Sequence, residues 1–259
     1  MPVSSDPCSD AADATERPDG PALPINELFA SLQGEGKLAG VPSVFVRTSG
    51  CNLRCWFCDS FHTSWEPTHA WLSLDEVVAE IESHDAEHVV VTGGEPLVHD
   101  EMATLLARLD EADYHVTVET NGTIDTEAPM DLASISPKLA SSTPTPDRDP
   151  AGDGDWADRH EQRRLDVDAL ARLTERNPFQ LKFVVTGPAD MAEIERLLGR
   201  VRDASAAMIR DTDVLLMPEG QTRAQLESTR GVAADLAAEY GYRYTPRLHV
   251  DLWNDAPET

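Results

Sequence analysis

Val44-Phe-Val-Arg-Thr-Ser-Gly-Cys-Asn-Leu-Arg-Cys-Trp-Phe-Cys-Asp-Ser60 is a short apolar run that empties into a C-x3-C-x2-C loop carrying Cys51, Cys55 and Cys58. Three thiolates so close in sequence can wrap one corner of a [4Fe-4S] cube and ligate three of its irons. The fourth iron is then left without a protein thiolate, and an open metal position serves chemistry rather than structure. A structural zinc site is the competing reading of the same thiols. It needs a fourth ligand, for which His62 and His69 are at hand, but the spacing is not the C-x2-C pairing of zinc modules.

With 41% hydrophobic residues in a chain of 259, there is material for the core of one large α/β domain or two small ones. No stretch reaches the roughly 18 uninterrupted apolar residues of a membrane span. Residues 1–24 have neither the basic nor the apolar region of a secretory signal. Four cysteines, three of them in one loop, argue against a disulfide framework and for a reducing compartment, the cytoplasm. The net charge is −26, from 47 acidic and 21 basic side chains, and the only lysines are Lys37, Lys138 and Lys182. Such a surface repels phosphates and argues against direct nucleic-acid binding. It suits a cytosol of very high salt, where self-repulsion is screened, and the composition is haloarchaeal in character.

Residues 1–22, rich in Ser, Asp, Ala and Pro, are expected to form a disordered acidic tail in which Cys8 is a bystander thiol. Residues 23–259 then make one catalytic domain. Strands are expected over 44–47, 88–92, 115–119, 132–136, 180–185, 214–217 and 244–250. Helices are expected over 73–84, 100–111, 165–177, 190–204 and 222–240, the first opening on a capping box of Ser73 and Glu76. Strands separated by helices imply a mostly parallel sheet with right-handed crossovers. Residues 141–164, with their Pro, Asp and Gly clusters, read as a long polar insertion loop lying over a site.

Three further stretches carry chemistry. Val91-Thr-Gly-Gly-Glu-Pro96 follows an apolar run, and paired glycines at a strand end let backbone approach a ligand closely. In Leu32-Gln-Gly-Glu-Gly36, Gln33 and Glu35 offer an amide and an anionic acceptor suited to the amide-like edge of a fused heterocycle. Arg47 alternates with Val44 and Val46, so it should point into a barrel, where a cation can meet a substrate carboxylate. Read singly, each of these is also compatible with a polar turn or an ion-paired structural residue.

Together they resemble the 7-carboxy-7-deazaguanine synthase family (the QueE family) of the radical S-adenosylmethionine (SAM) superfamily. The likeness extends through Glu119-Thr-Asn-Gly122, Ser136-Pro-Lys138, Leu181-Lys-Phe-Val-Val185 and Thr245-Pro-Arg-Leu-His-Val250, from about Ile25 to Trp253. It implies an α/β fold, a partial, open (β/α) barrel with its site at the C-terminal ends of the strands. It also implies conversion of 6-carboxy-5,6,7,8-tetrahydropterin into 7-carboxy-7-deazaguanine with loss of ammonia, for the tRNA bases queuosine or archaeosine.

By the same resemblance, Cys51, Cys55 and Cys58 would hold the cluster, whose open iron chelates SAM. Phe57, Cys58, Asp59, Gly94, Ser136, Pro137 and Lys138 would contact SAM. Leu32, Gln33, Gly34, Glu35, Arg47 and Thr92 would hold the pterin, and Ser60, where many members have threonine, would ligate Mg2+. Glu119 and His249 are candidates for orienting substrate or moving a proton. Glu119 could equally be a buried carboxylate paired with Lys138 or Lys182. A ferredoxin or flavodoxin would supply electrons, and a homodimer is expected by analogy. The family's chain end approaches the active site, whereas this sequence runs on through Asn254-Asp-Ala-Pro-Glu-Thr259. A glycyl-radical activase, with a protein substrate and no need of Arg47 or Ser60, and a zinc-stabilised binding module are the alternatives.

Overall fold

The structure is a computed structural model that describes residues 3–4, 16–150, 154–254 and 256. Ten strands among these residues form one sheet. They are β1 (Val3–Ser4), β2 (Ala22–Leu32), β3 (Pro42–Thr48), β4 (Ala70–Ser73), β5 (His88–Gly93), β6 (His115–Thr120), β7 (Leu132–Ile135), β8 (Phe179–Val185), β9 (Val214–Pro218) and β10 (Arg243–Tyr244). From β3 to β10 every neighbouring pair is parallel, in the order β3-β5-β6-β7-β8-β9-β10. The β2 strand closes one end as an antiparallel partner of β3, and its other edge takes β1 and β4. The order ends at β1 and β10 without closing, so the barrel is partial and open.

Among the described residues eight α-helices lie between or after the strands: α1 (Phe61–Ser64), α2 (Leu74–Glu82), α3 (Met102–Glu111), α4 (Ala157–Arg163), α5 (Val167–Arg176), α6 (Met191–Ala204), α7 (Arg223–Tyr240) and α8 (Leu248–Trp253). Ser73 and Glu76 do form the capping box that starts α2. None of the described helices is long and apolar enough to cross a membrane.

Period-two alternation decides which way each strand faces. Val44, Val46, Val89, Val91, Val116, Val118, Ala133, Ile135, Leu181 and Phe183 pack outward with Leu105, Leu109, Leu173, Ile194 and Leu197 of the helices. Residues of the opposite parity, Arg47, Thr92, Glu119, Lys182 and Met217, face a cavity instead. Beneath them Phe29 stacks on Phe45, 5.1 Å between ring centroids, with Val90 in the same small apolar layer. A polar layer lies below, where Gln180 donates to Ser134 (2.8 Å) and accepts from the Lys37 N–H (2.7 Å).

Three expectations need correction. The 244–250 strand is two residues of β10, after which Pro246 removes a ladder donor and the chain coils into α8. The long β2 was not anticipated; Pro24, Asn26 and a register shift near Glu27 blur its alternation. The 141–164 segment is more than a surface loop, because it contains α4, whose His160 is fully buried. Most of the expected acidic tail, with Cys8, lies outside the described residues; β2 begins at Ala22.

Candidate active site

The C-terminal ends of β3, β5, β6, β7, β8 and β9 open into a cavity of ≈ 780 Å3. One wall is the cysteine loop after β3. Cys51, Cys55 and Cys58 all border the cavity. Burial pushes the Cys51 thiol up to about 12 and raises Cys55 and Cys58 as well, so without metal the thiols keep their protons. The Leu53 N–H points at the Cys51 sulfur (3.4 Å) and the Ser64 hydroxyl at the Cys58 sulfur (3.2 Å). Donors aimed at sulfur are what cluster thiolates use, and a bound metal would displace the thiol protons. The donor set therefore fits an iron–sulfur cluster.

The Gly93-Gly94 pair fits this wall to the sheet. A Cβ on Gly93, which adopts φ +134°, would lie 2.1 Å from the Thr48 carbonyl oxygen; one on Gly94 would lie 2.2 Å from that of Gly50 and 2.8 Å from Cys51 Cβ. No larger residue can stand between β5 and the cysteine loop. Glu95, wholly buried, accepts from the Asn121 N–H (2.6 Å), the Thr120 hydroxyl (2.8 Å) and the Leu97 N–H (3.2 Å). Burial raises its carboxyl to about 6 even though those donors favour the anion. Asn121 then donates to Asn52 (2.9 Å), which donates to Thr123 (2.8 Å), tying the ends of β5 and β6 to the cysteine loop.

The opposite wall is a chain of ion pairs. Lys182, 2% exposed, lies 2.5 Å from Glu35 and 3.0 Å from Glu119. Arg247, 6% exposed, lies 3.1 Å from Glu35, donates to the Gly220 carbonyl (2.6 Å) and pairs with Asp59. Gln33 donates to Glu119 (3.1 Å). Burial alone would raise the Glu35 carboxyl, but Lys182 and Arg247 hold it well below the usual carboxylate range. Burial alone would likewise lower Lys182, and Glu119 with Glu35 drive it above its ordinary value. His249 is held neutral at about 4, chiefly by burial. Its ring covers Gly34, where a Cβ would lie 2.0 Å from Nδ1, so this site needs glycine.

Between the walls stands Arg47, ion-paired with Glu27 at 2.7 Å and donating to the Ser60 hydroxyl (2.8 Å), which in turn donates to Asp59 (3.3 Å). The remaining residues singled out from the sequence, Leu32, Phe57, Thr92, Gly94, Ser136 and Lys138, also line the cavity, while Pro137 does not. Lys138 folds back onto Ser136, donating to its carbonyl (2.9 Å) and hydroxyl (2.7 Å). Of the two partners foreseen for Glu119, it takes Lys182. Sequence reasoning missed Glu27, Arg247 and Asn121. Arg247 lay inside a quoted motif, and its flanking Thr245 and His249 were the signal that could have found it.

A sequence model of the radical SAM superfamily matches residues 45–139. A 7-carboxy-7-deazaguanine synthase of Halobacterium salinarum is 65% identical over 256 residues, covering 98% of this chain and 100% of that protein. The chain belongs to the 7-carboxy-7-deazaguanine synthase family. Synthases of Rhodopirellula baltica (39% identical, 88% of this chain and 86% of that one) and Pyrobaculum aerophilum (32%, 91% and 97%) extend the family to distant hosts. The crystal structure of QueE from Escherichia coli superposes with a TM-score of 0.60 at 25% identity, covering 88% of this chain and 95% of that one. Streptococcus suis SuiB bound to S-adenosylmethionine shares the fold, with a TM-score of 0.50 at 12% identity over 78% of this chain and 49% of that one. The chain is thus a radical SAM enzyme, and the family implies a [4Fe-4S] cluster and SAM. The zinc-module and glycyl-radical-activase alternatives fall away.

Proposed function

We propose that this protein converts 6-carboxy-5,6,7,8-tetrahydropterin into 7-carboxy-7-deazaguanine with release of ammonia. The observation that carries the reading is the pairing, across one cavity, of a three-cysteine wall with a wall of compensated carboxylates and cations in a chain of this family. Cys51, Cys55 and Cys58 would hold the cluster, and Phe57, Asp59, Gly94, Ser136 and Lys138, which line the cavity, would contact SAM. When bound, the cluster and SAM would supply radical chemistry to the pterin. Gln33, Glu35, Glu119 and the backbone at Leu32, Gly34 and Thr92 receive the polar edge of the bicyclic ring. Arg47 would receive its carboxylate, and Ser60 beside it would be the residue to hold a Mg2+. Neutral His249 can accept a proton beside the ring.

The reading includes a cytoplasmic setting, where cysteine thiols stay reduced, and a ferredoxin or flavodoxin as electron source. It also includes a homodimer, which sedimentation would check. The direct test is an anaerobic assay at high salt with SAM, dithionite, Mg2+ and 6-carboxytetrahydropterin, followed by mass detection of the deazaguanine. Product that disappears in Cys55→Ala supports the assignment. SAM cleavage without deazaguanine overturns the substrate.

A further inference from the structure

The segment between β7 and α5 is bound to the cysteine loop rather than lying over open solvent. The Arg54 N–H donates to Nδ1 of His160 (3.1 Å), and the Trp56 N–H donates to the Ser142 carbonyl (3.1 Å). The indole N–H of Trp56 donates to the Ser141 carbonyl (2.7 Å). The N–H groups of both neighbours of Cys55 are therefore held by residues of this segment, and the Cys55 carbonyl itself accepts from the Trp65 indole (2.9 Å). Buried backbone donors need partners, and here the partners come from about a hundred residues away, |i−j| being 106 for Arg54 with His160.

The imidazole is committed to this role by its tautomer. Because Nδ1 accepts, a neutral ring carries its proton on Nε2 and donates to the Ser142 hydroxyl (2.9 Å), which in turn donates a hydrogen bond to the Leu139 carbonyl (2.6 Å). His160 and Ser142 are both fully buried. Burial, with Arg164 and Lys138 nearby, keeps the ring neutral down to about 4. Two stacked contacts fasten the same junction from outside: the Arg54 guanidinium over Trp156 (4.3 Å) and that of Arg148 over Trp56 (4.7 Å). Arg164 secures the far end, donating to the Lys138 carbonyl (3.0 Å) and pairing with Glu193 at 2.7 Å.

We propose that the described parts of the 141–164 segment form a strap that sets the position of Cys55 before any metal arrives, with His160 as its positioning residue. The role rests on the cluster-binding reading of the cysteine loop. Three neutral thiols on an irregular loop have no attraction for one another, so the loop's shape in the metal-free protein is supplied from elsewhere. A strap that fixes the amides flanking the middle cysteine provides it.

The test compares His160→Ala, His160→Asn and wild type. Asn keeps an acceptor near the position of Nδ1. Amide exchange is measured first on the metal-free proteins. His160→Ala is expected to speed exchange at Arg54 and Trp56 by about tenfold or more, the loss of one buried hydrogen bond, while β5 and β6 are unchanged. His160→Asn should recover most of the protection at Arg54. After anaerobic reconstitution, His160→Ala should retain less iron and give a broadened or shifted electron paramagnetic resonance signal, with His160→Asn in between. Unchanged exchange and iron in His160→Ala would overturn the proposal. So would faster exchange spread evenly over the sheet, since that marks a core-packing role only. Failure of the cluster reading is separable, because wild type itself would then take up no iron.

Discussion

The two walls of the cavity are built on opposite principles. On the Lys182 side the polypeptide already supplies ion-pair partners: Glu35 and Glu119 with Lys182, Glu35 and Asp59 with Arg247. On the cysteine side the polypeptide supplies three protonated thiols whose charge appears only when metal displaces the protons. One wall is finished by folding and the other by loading. The lesson is that side chains of one cavity can have opposite relations to stability: removing a partner on the first wall should harm the fold, and removing one on the second should harm only the holoenzyme.

The sharpest way to break that contrast is Cys55→Ala. It should abolish iron uptake and product formation to background, yet change the stability of the metal-free protein by only about 1 kcal/mol, read by denaturant unfolding. A metal-free loss as large as that of a charge-wall variant would end the distinction. Next in size is Lys182→Met, which leaves Glu119 without its cation and Glu35 with Arg247 alone, and should cost about 3–5 kcal/mol in the metal-free protein. Adding Glu35→Gln should restore part of it, and a strictly additive loss would contradict the pairing.

Ser60 stands where the walls meet, and Ser60→Ala should raise the Mg2+ concentration for half-maximal turnover on the order of 10–100-fold, while Ser60→Thr keeps it near wild type. An unchanged Mg2+ titration would remove the ion from Ser60. The smallest effect belongs to pH. His160 ordinarily titrates near 6.5 but is held at about 4 in the fold. Between these values the unfolded chain binds the extra proton, so stability is complete above 6.5 and falls as pH drops. From pH 6.5 to 5 the loss is about 1.5 kcal/mol, and His160→Asn should remove that part of the slope.

Much of this architecture was legible in the chain. Val44 and Val46 against Phe45 and Arg47 state both the strand and its two faces, and the cysteine spacing states the metal chemistry. What was not legible depends on distant partners. Lys182 reads as a second polar residue, after Gln180, in an otherwise apolar strand until Glu35, 147 positions away, is brought beside it. Leu248–Trp253 has the composition of a strand; it is helical because the Leu248 N–H goes to the Gly34 carbonyl (2.8 Å) and the Asn254 side chain accepts from the Arg223 N–H (2.9 Å). His160 lies among Pro, Asp and Gly signals that describe an exposed loop, and only its burial reveals an anchor.

The loop at 33–36 is closed by residues from the far end of the barrel: the Gly36 N–H donates to Thr245 across 209 positions, and Arg247 reaches Glu35 across 212. During synthesis, which proceeds from the first residue onward, the thiol wall can therefore take shape well before the charged one. A ribosome-bound chain that has not yet emerged past His249 already carries its three cysteines but has no completed pocket for a bicyclic ring. Metal loading can precede the last turn of translation; substrate recognition cannot.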